Sequence, residues 1–134
     1  MSKHAIVPPS FSAAAARLNM SPAIRSGGFV FLTGVTGSDP QGRMPEDPER
    51  QIRNAFGKIG EVLREAGLAF GSVVEMTTYH VGLREHFDLF DAIRLEHLPA
   101  PFPAWTAVEV AGLRREGAIV EIRVIASAQP PGDA

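Results

Sequence analysis

A chain of 134 residues fits one domain with a core of its own and gives no reason to look for a second. The absence of cysteine excludes a disulfide framework, a thiolate metal site and a cysteine nucleophile, and fits a reducing compartment. A net charge of -2 excludes a broad electrostatic pull on nucleic acid or anionic membrane, so any RNA contact has to be local.

In chain order, residues 1–20 contain Pro8 and Pro9 and no apolar run of the kind a targeting signal needs, and read as a flexible N-terminal segment. Ala23 to Arg25 and Gly28 to Thr33 read as two short strands joined by a glycine turn. The stretch GVTGSDPQGRMPEDP is too rich in glycine, proline and aspartate for regular structure, and predicts a long loop bordering a site. Asp47 as N-cap, Pro48 at the first helical position and Glu49 in the first turn open a helix. Its apolar stripe is Ile52, Ala55, Phe56, Ile59, Val62, Leu63 and Ala66, closed by Gly67. Ser72 to Val81 is rich in β-branched and aromatic residues and reads as a strand. Arg84 to Leu98 reads as a second amphipathic helix in which Leu95 falls off the stripe, and Pro99, Pro101 and Pro103 end it. Two longer strands, Ala104 to Ala111 and Ala118 to Ser127, are joined by the charged turn GLRREG, and residues 129–134 form a tail.

The order β-β-α-β-α-β-β, with a hairpin at each end, predicts an α+β domain over residues 21–128: a mixed sheet with both helices on one face. In the last strand Val120, Ile122 and Val124 form a wholly apolar face, while Ile119, Glu121, Arg123 and Ile125 mix apolar and charged residues on the other. Such a second face suits a subunit interface, and a homo-oligomer is expected. No apolar run reaches the ~20 residues of a membrane span, so the expectation is a soluble, cytoplasmic protein.

The stretches GGFVFLTG, PEDPERQIRNAFGKIGEVLREAGLAFGSVVEMTTYHVGL and FPAWTAVEVAGLRREGAIVEIRVIA resemble the Rid family, also called YjgF or L-PSP endoribonuclease-like, and the likeness runs from about Ser21 to Ser127. The resemblance implies a chorismate-mutase-like α+β fold and a homotrimer with ligand clefts between subunits. It also implies hydrolytic deamination of imines or enamines, with no cofactor. In the family an arginine of the FPAR motif grips the substrate carboxylate, guanidinium matching carboxylate in shape and charge. Here that position is Trp105. The family's water-orienting glutamate is matched by Glu121, and Thr33 offers a hydroxyl where the family has serine. Met20 falls where a tyrosine is expected, Ala107 where a cysteine is, and Asp91 where an asparagine is.

Glu121 is therefore the candidate catalytic group, weighed against a salt bridge with Arg123 or Arg25 across a trimer interface. Trp105 is a candidate aromatic wall, weighed against simple interface packing. Arg123 is a candidate replacement for the missing arginine, and Asp91 pairs with Glu121 in an acid/base reading or is plain helix surface. His80, His86 and His97 have no metal-binding spacing, and GVTG is followed by loop rather than helix, so neither a metal nor a nucleotide cofactor is implied. The expected pocket is floored by Trp105, Thr33 and Glu121 and takes a small-molecule substrate other than a small free carboxylate. The alternatives are a non-catalytic ligand- or partner-binding trimer and, from the family's older label, RNA cleavage with strongly salt-dependent binding.

Overall fold

The computed structural model describes residues 2–129. Strand β1 (His4–Ile6) and helix α1 (Ser12–Leu18) precede β2 (Ala23–Ser26), β3 (Phe29–Leu32) and a two-residue β4 (Val35–Thr36). Then come α2 (Pro48–Glu65), β5 (Val73–His80), α3 (Leu83–His97), β6 (Ala104–Glu109) and β7 (Val120–Ser127). One sheet of order β1-β2-β3-β7-β5-β6 results, with β4 lying beside β7.

Residues 1–20, read above as flexible, carry structure. β1 adds antiparallel to the edge of β2 with Ala5 opposite Ile24, giving that edge the partner it would otherwise lack. Pro9 does not block helix here but starts a 3-10 turn (Pro9–Phe11) that leads into α1, a position where its missing N–H costs nothing. The Ser10 hydroxyl binds Glu61 of α2, which ties this segment to the body. The expected tail lies outside the described residues from Pro130 onward.

The expected C-terminal hairpin is also corrected. β6 pairs parallel to β5, with Trp105 opposite Met76, while β7 pairs antiparallel to the other side of β5, with Glu121 opposite Tyr79. The reason is α3: a helix between two strands returns the chain parallel to the first, which fills one edge of β5 and leaves only the opposite edge for β7. The GLRREG segment is thus a crossing past β5, not a tight turn.

The two helices cover one face, as the pattern predicts. Asp47 caps α2 by accepting from the Glu49 N–H at 3.2 Å, Pro48 begins it, and Gly67 follows its end at φ +76°. Its stripe of Ile52, Phe56, Ile59 and Leu63 is buried against the sheet, and Phe56 meets Phe90 of α3 with ring centroids 5.7 Å apart. Val120, Ile122 and Val124 face this core, and Leu95 is solvent-exposed. The opposite face of the sheet has no cover within the chain: Phe29, Phe31, Val74 and Val108 are exposed there, and a shallow groove runs between Phe29, Phe31, Val74 and Ile125. Among the described residues no helix is long and apolar enough to cross a membrane.

Candidate functional site

The first part of the site forms where β3 gives way to β4. β3 pairs with β7 around Phe31 and Ile125, and the Thr33-Gly34 step shifts the chain so that β4 resumes the pairing with Val35 opposite Ile122 and Thr36 opposite Glu121. Glycine at position 34 leaves room for the carboxylate: a Cβ built there would collide with Glu121 Oε2, the movable end of that side chain. The Glu121 carboxylate is half-buried and, among the described residues, has no hydrogen-bond or ion-pair partner. Within one chain neither Arg123 nor Arg25 pairs with it, and Arg25 donates to the carbonyl of Ala66 at 2.9 Å. Beside Gly34 opens an apolar pocket of about 70 Å³, lined among others by Phe11, Met20, Leu32, Thr33 and Val62. Thr33 donates its hydroxyl hydrogen to the Ser21 carbonyl at 2.6 Å, so its oxygen is left to accept.

The loop beyond β4 is fixed by three side chains of α2. Gln51, fully buried, donates to the carbonyls of Pro45 and Gly117 at 2.7 and 2.9 Å and accepts from the Ile119 N–H at 2.9 Å. Asn54 donates to the Gly37 carbonyl at 3.0 Å, and Gly37 itself must be glycine because a Cβ would strike the Gln51 backbone. Lys58 donates to the Thr36 carbonyl at 2.8 Å and to Ser38 Oγ at 2.7 Å. Burial, with Arg115 nearby, lowers its amine to about 8, against the pull of Asp39.

The second part sits at the free edge of β6. Trp105 turns toward the helices: its indole stacks on Phe87 with centroids 5.7 Å apart and planes 3° from parallel, and touches Phe90. The Arg94 guanidinium also lies over the Trp105 ring, with Cζ 4.5 Å from the indole centroid, and its Nε donates to Asp91 Oδ1 at 2.7 Å. An indole N–H can only donate, and it does so to Thr78 Oγ1 at 3.0 Å. Thr78 is 2.7 Å from His80 Nε2, and His80 Nδ1 is 3.2 Å from His86 Nε2, so a buried polar chain runs inward from Trp105. An assignment with both rings neutral satisfies it: Thr78 donates to His80, and His80 donates to His86.

That chain makes folding sensitive to acid. Burial lowers His80 to about 4, with His86 adding repulsion, and burial also lowers His86 against the attraction of Glu85 and Glu109. The unfolded chain takes up protons below its ordinary histidine value of about 6.5, which the folded chain refuses, so this stability is complete above that pH and is lost as pH falls toward 4. Between pH 6.5 and 5 the expected loss is about 2 kcal/mol. Urea midpoints of wild type and His80→Gln across that window check it: the wild type should fall more steeply, and parallel slopes would contradict it.

Within one chain the predicted residues divide into two groups. Trp105 and Ala107 face the helix layer, whereas Glu121 and Arg123 face the open side of the sheet, so one subunit does not place Trp105, Thr33 and Glu121 on a common floor. Arg123 is exposed opposite Thr77 and does not approach Trp105 of its own chain. Asp91 pairs with Arg94, not with Glu121. Sequence reasoning missed Arg94, Thr78 and the His80–His86 contact. For Arg94 a signal existed, since Phe87, Phe90, Asp91 and Arg94 recur at helical spacing and so share a face. Among the described residues no group of three or more His, Asp or Glu side chains is arranged to hold a metal.

The chain matches the family model described as Endoribonuclease L-PSP over residues 11–128, and it belongs to that family, the Rid family of the sequence resemblance. It is 36% identical over 107 residues to the RutC family protein YjgH of Escherichia coli (strain K12), covering 79% of this chain and 80% of that protein. It is 35% identical over 109 residues to Reactive Intermediate Deaminase A, chloroplastic, of Arabidopsis thaliana, covering 80% of this chain and 57% of that one. The solved structure of protein YJGH matches with a TM-score of 0.86 at 32% identity, covering 95% of this chain and 97% of that one.

Proposed function

We propose that the protein is a hydrolytic deaminase of imines or related C=N compounds, acting at a site completed between subunits. The observation that carries this reading is the Glu121 carboxylate, which is half-buried, held against Gly34 and free of any protein partner among the described residues. A carboxylate in a strand that neither pairs nor caps is available to take a proton from water. The name of the Arabidopsis relative, a reactive intermediate deaminase, supports the reaction class. In this reading water attacks the imine carbon while Glu121 accepts its proton, and the C=N π electrons move to nitrogen. Glu121 returns that proton to nitrogen to give the carbinolamine, whose hydroxyl proton then passes to the amino group by way of Glu121 as the C–N bond breaks, leaving a carbonyl and ammonia.

The arrangement of groups calls for more than one chain. Glu121, Thr33 and Met20 stand at one end of β7, and Trp105, Ala107 and Asp91 at the β6 edge on the other sheet face, so a cleft holding both sets draws them from neighbouring subunits. The exposed Phe29, Phe31, Val74 and Val108 supply an apolar face for such packing. Light scattering on the purified protein should give the mass of three chains, and Phe31→Asp should shift it toward one; a wild-type monomer would remove the shared site.

A binding-only trimer is the second reading, favoured by the contacts of Trp105 with Phe87 and Arg94 at the position where the family's arginine would reach for substrate. Ammonia release from imines generated by an amino-acid oxidase, over acidic, basic, aliphatic and aromatic side chains, separates the two. Turnover by wild type that disappears in Glu121→Ala supports the deaminase. Silence in wild type and Trp105→Arg alike supports binding alone. RNA cleavage, suggested by the family description, has the net charge of -2 against it and predicts salt-dependent RNA binding at low ionic strength.

A further inference from the structure

We propose that Arg94, mounted on Trp105, is the anchor for an aryl-bearing carboxylate at this site, so that the preferred substrates and ligands are planar aromatic acids. The inference rests on the reading of the β6 edge as part of a small-molecule site, but not on the reaction assigned to it. Three features of Arg94 carry it. Its Nε is committed to Asp91, which sets the plane and direction of the guanidinium. Its Cζ lies over the Trp105 indole at 4.5 Å from the centroid, with the Phe102 ring centroid 5.8 Å away. Its two Nη groups have no protein acceptor, and since no buried side-chain donor is left unsatisfied among the described residues each keeps some contact with solvent, although the side chain is only 17% exposed.

An arginine serving only to brace Trp105 has no need to present a free, oriented fork. Two parallel N–H donors in one plane fit the two oxygens of a carboxylate, and Asp91 fixes that plane before a ligand arrives. Next to the fork stands Phe102, 55% exposed, an aromatic surface on which a second ring can stack. A small carboxylate would use the fork but leave Phe102 bare, and a neutral arene would use Phe102 but leave the fork unpaired. An aryl carboxylate uses both.

Trp105 is the only tryptophan in the chain, so its emission reports on this site alone. Titration with phenylpyruvate, benzoate, pyruvate and benzamide should show the first two binding at least ten-fold more tightly than the last two. Arg94→Gln should lose at least ten-fold of phenylpyruvate affinity, and Arg94→Lys should recover little of it, because an ammonium lacks the fork. Phe102→Ala, a change at an exposed ring, should reduce the preference for phenylpyruvate over pyruvate several-fold, and it decides the matter should Arg94→Gln fail to fold by circular dichroism. Equal affinity in wild type and Arg94→Gln, pyruvate binding as well as phenylpyruvate, or no saturable binding in wild type would each overturn the proposal. Wild type that binds phenylpyruvate yet releases ammonia from no imine would end the deaminase reading and leave this one standing.

Discussion

Glu121→Gln should lower kcat for ammonia release by about 10²- to 10⁴-fold, the usual contribution of a positioned general base, while changing KM little. The amide keeps the size of the carboxylate and its contact with Gly34, but it cannot accept a proton from water. Loss in kcat and kcat/KM together is the signature of an interaction made in the transition state rather than in binding. A rise in KM at constant kcat would place Glu121 among the binding groups instead. Gly34→Ala provides an independent approach to the same carboxylate, since the added methyl occupies the space of Glu121 Oε2 and forces it to turn away. That variant should show the same kinetic pattern with a smaller loss, and a normal kcat in Gly34→Ala would mean that the carboxylate works from another rotamer.

What the sequence disclosed and what it concealed follow from the range of the interactions involved. α2 could be read from local chemistry, because Asp47, Pro48 and the stripe from Ile52 to Leu63 state its start and its buried side without reference to the rest of the chain. Glu121 was legible as an oddity, a carboxylate between Val120 and Ile122, and the two-residue period assigned its face correctly. The partner of β7 was not legible: alternation defines faces but not neighbours, and the parallel return through α3 decides that β5 lies between β6 and β7. For the same reason alternation along each strand could not show that β6 and β7 of one chain present Trp105 and Glu121 to opposite layers. The Thr78–His80–His86 chain was hidden because its contacts join a strand to a helix start, and a search for metal spacing along one helix passes over such a pair. At the N-terminus two prolines suggested disorder, whereas Pro9 begins a helical turn and β1 finds the free edge of β2.

Gln51→Leu should destabilise the protein by about 3–5 kcal/mol and lower Tm by roughly 10–15 °C, although the substitution adds an apolar side chain to a buried position. Three backbone groups depend on this one amide: the carbonyls of Pro45 and Gly117 and the N–H of Ile119. Leucine can satisfy none of them, and each buried group left unpaired costs about 1–3 kcal/mol. By contrast Arg53→Ala, which removes ion pairs to the exposed Glu49 and Glu96, should cost far less, because water screens these charges. Thermal unfolding of both variants at one protein concentration checks the ordering, the fixed concentration being needed because an oligomer's midpoint depends on it. The same amide links the loop after β4 to the start of β7, so its loss should also loosen the Gly34 step against Glu121. Gln51→Leu should therefore lose kcat at temperatures well below its own Tm; full activity up to the melting transition would show that α2 supports the fold without setting the site.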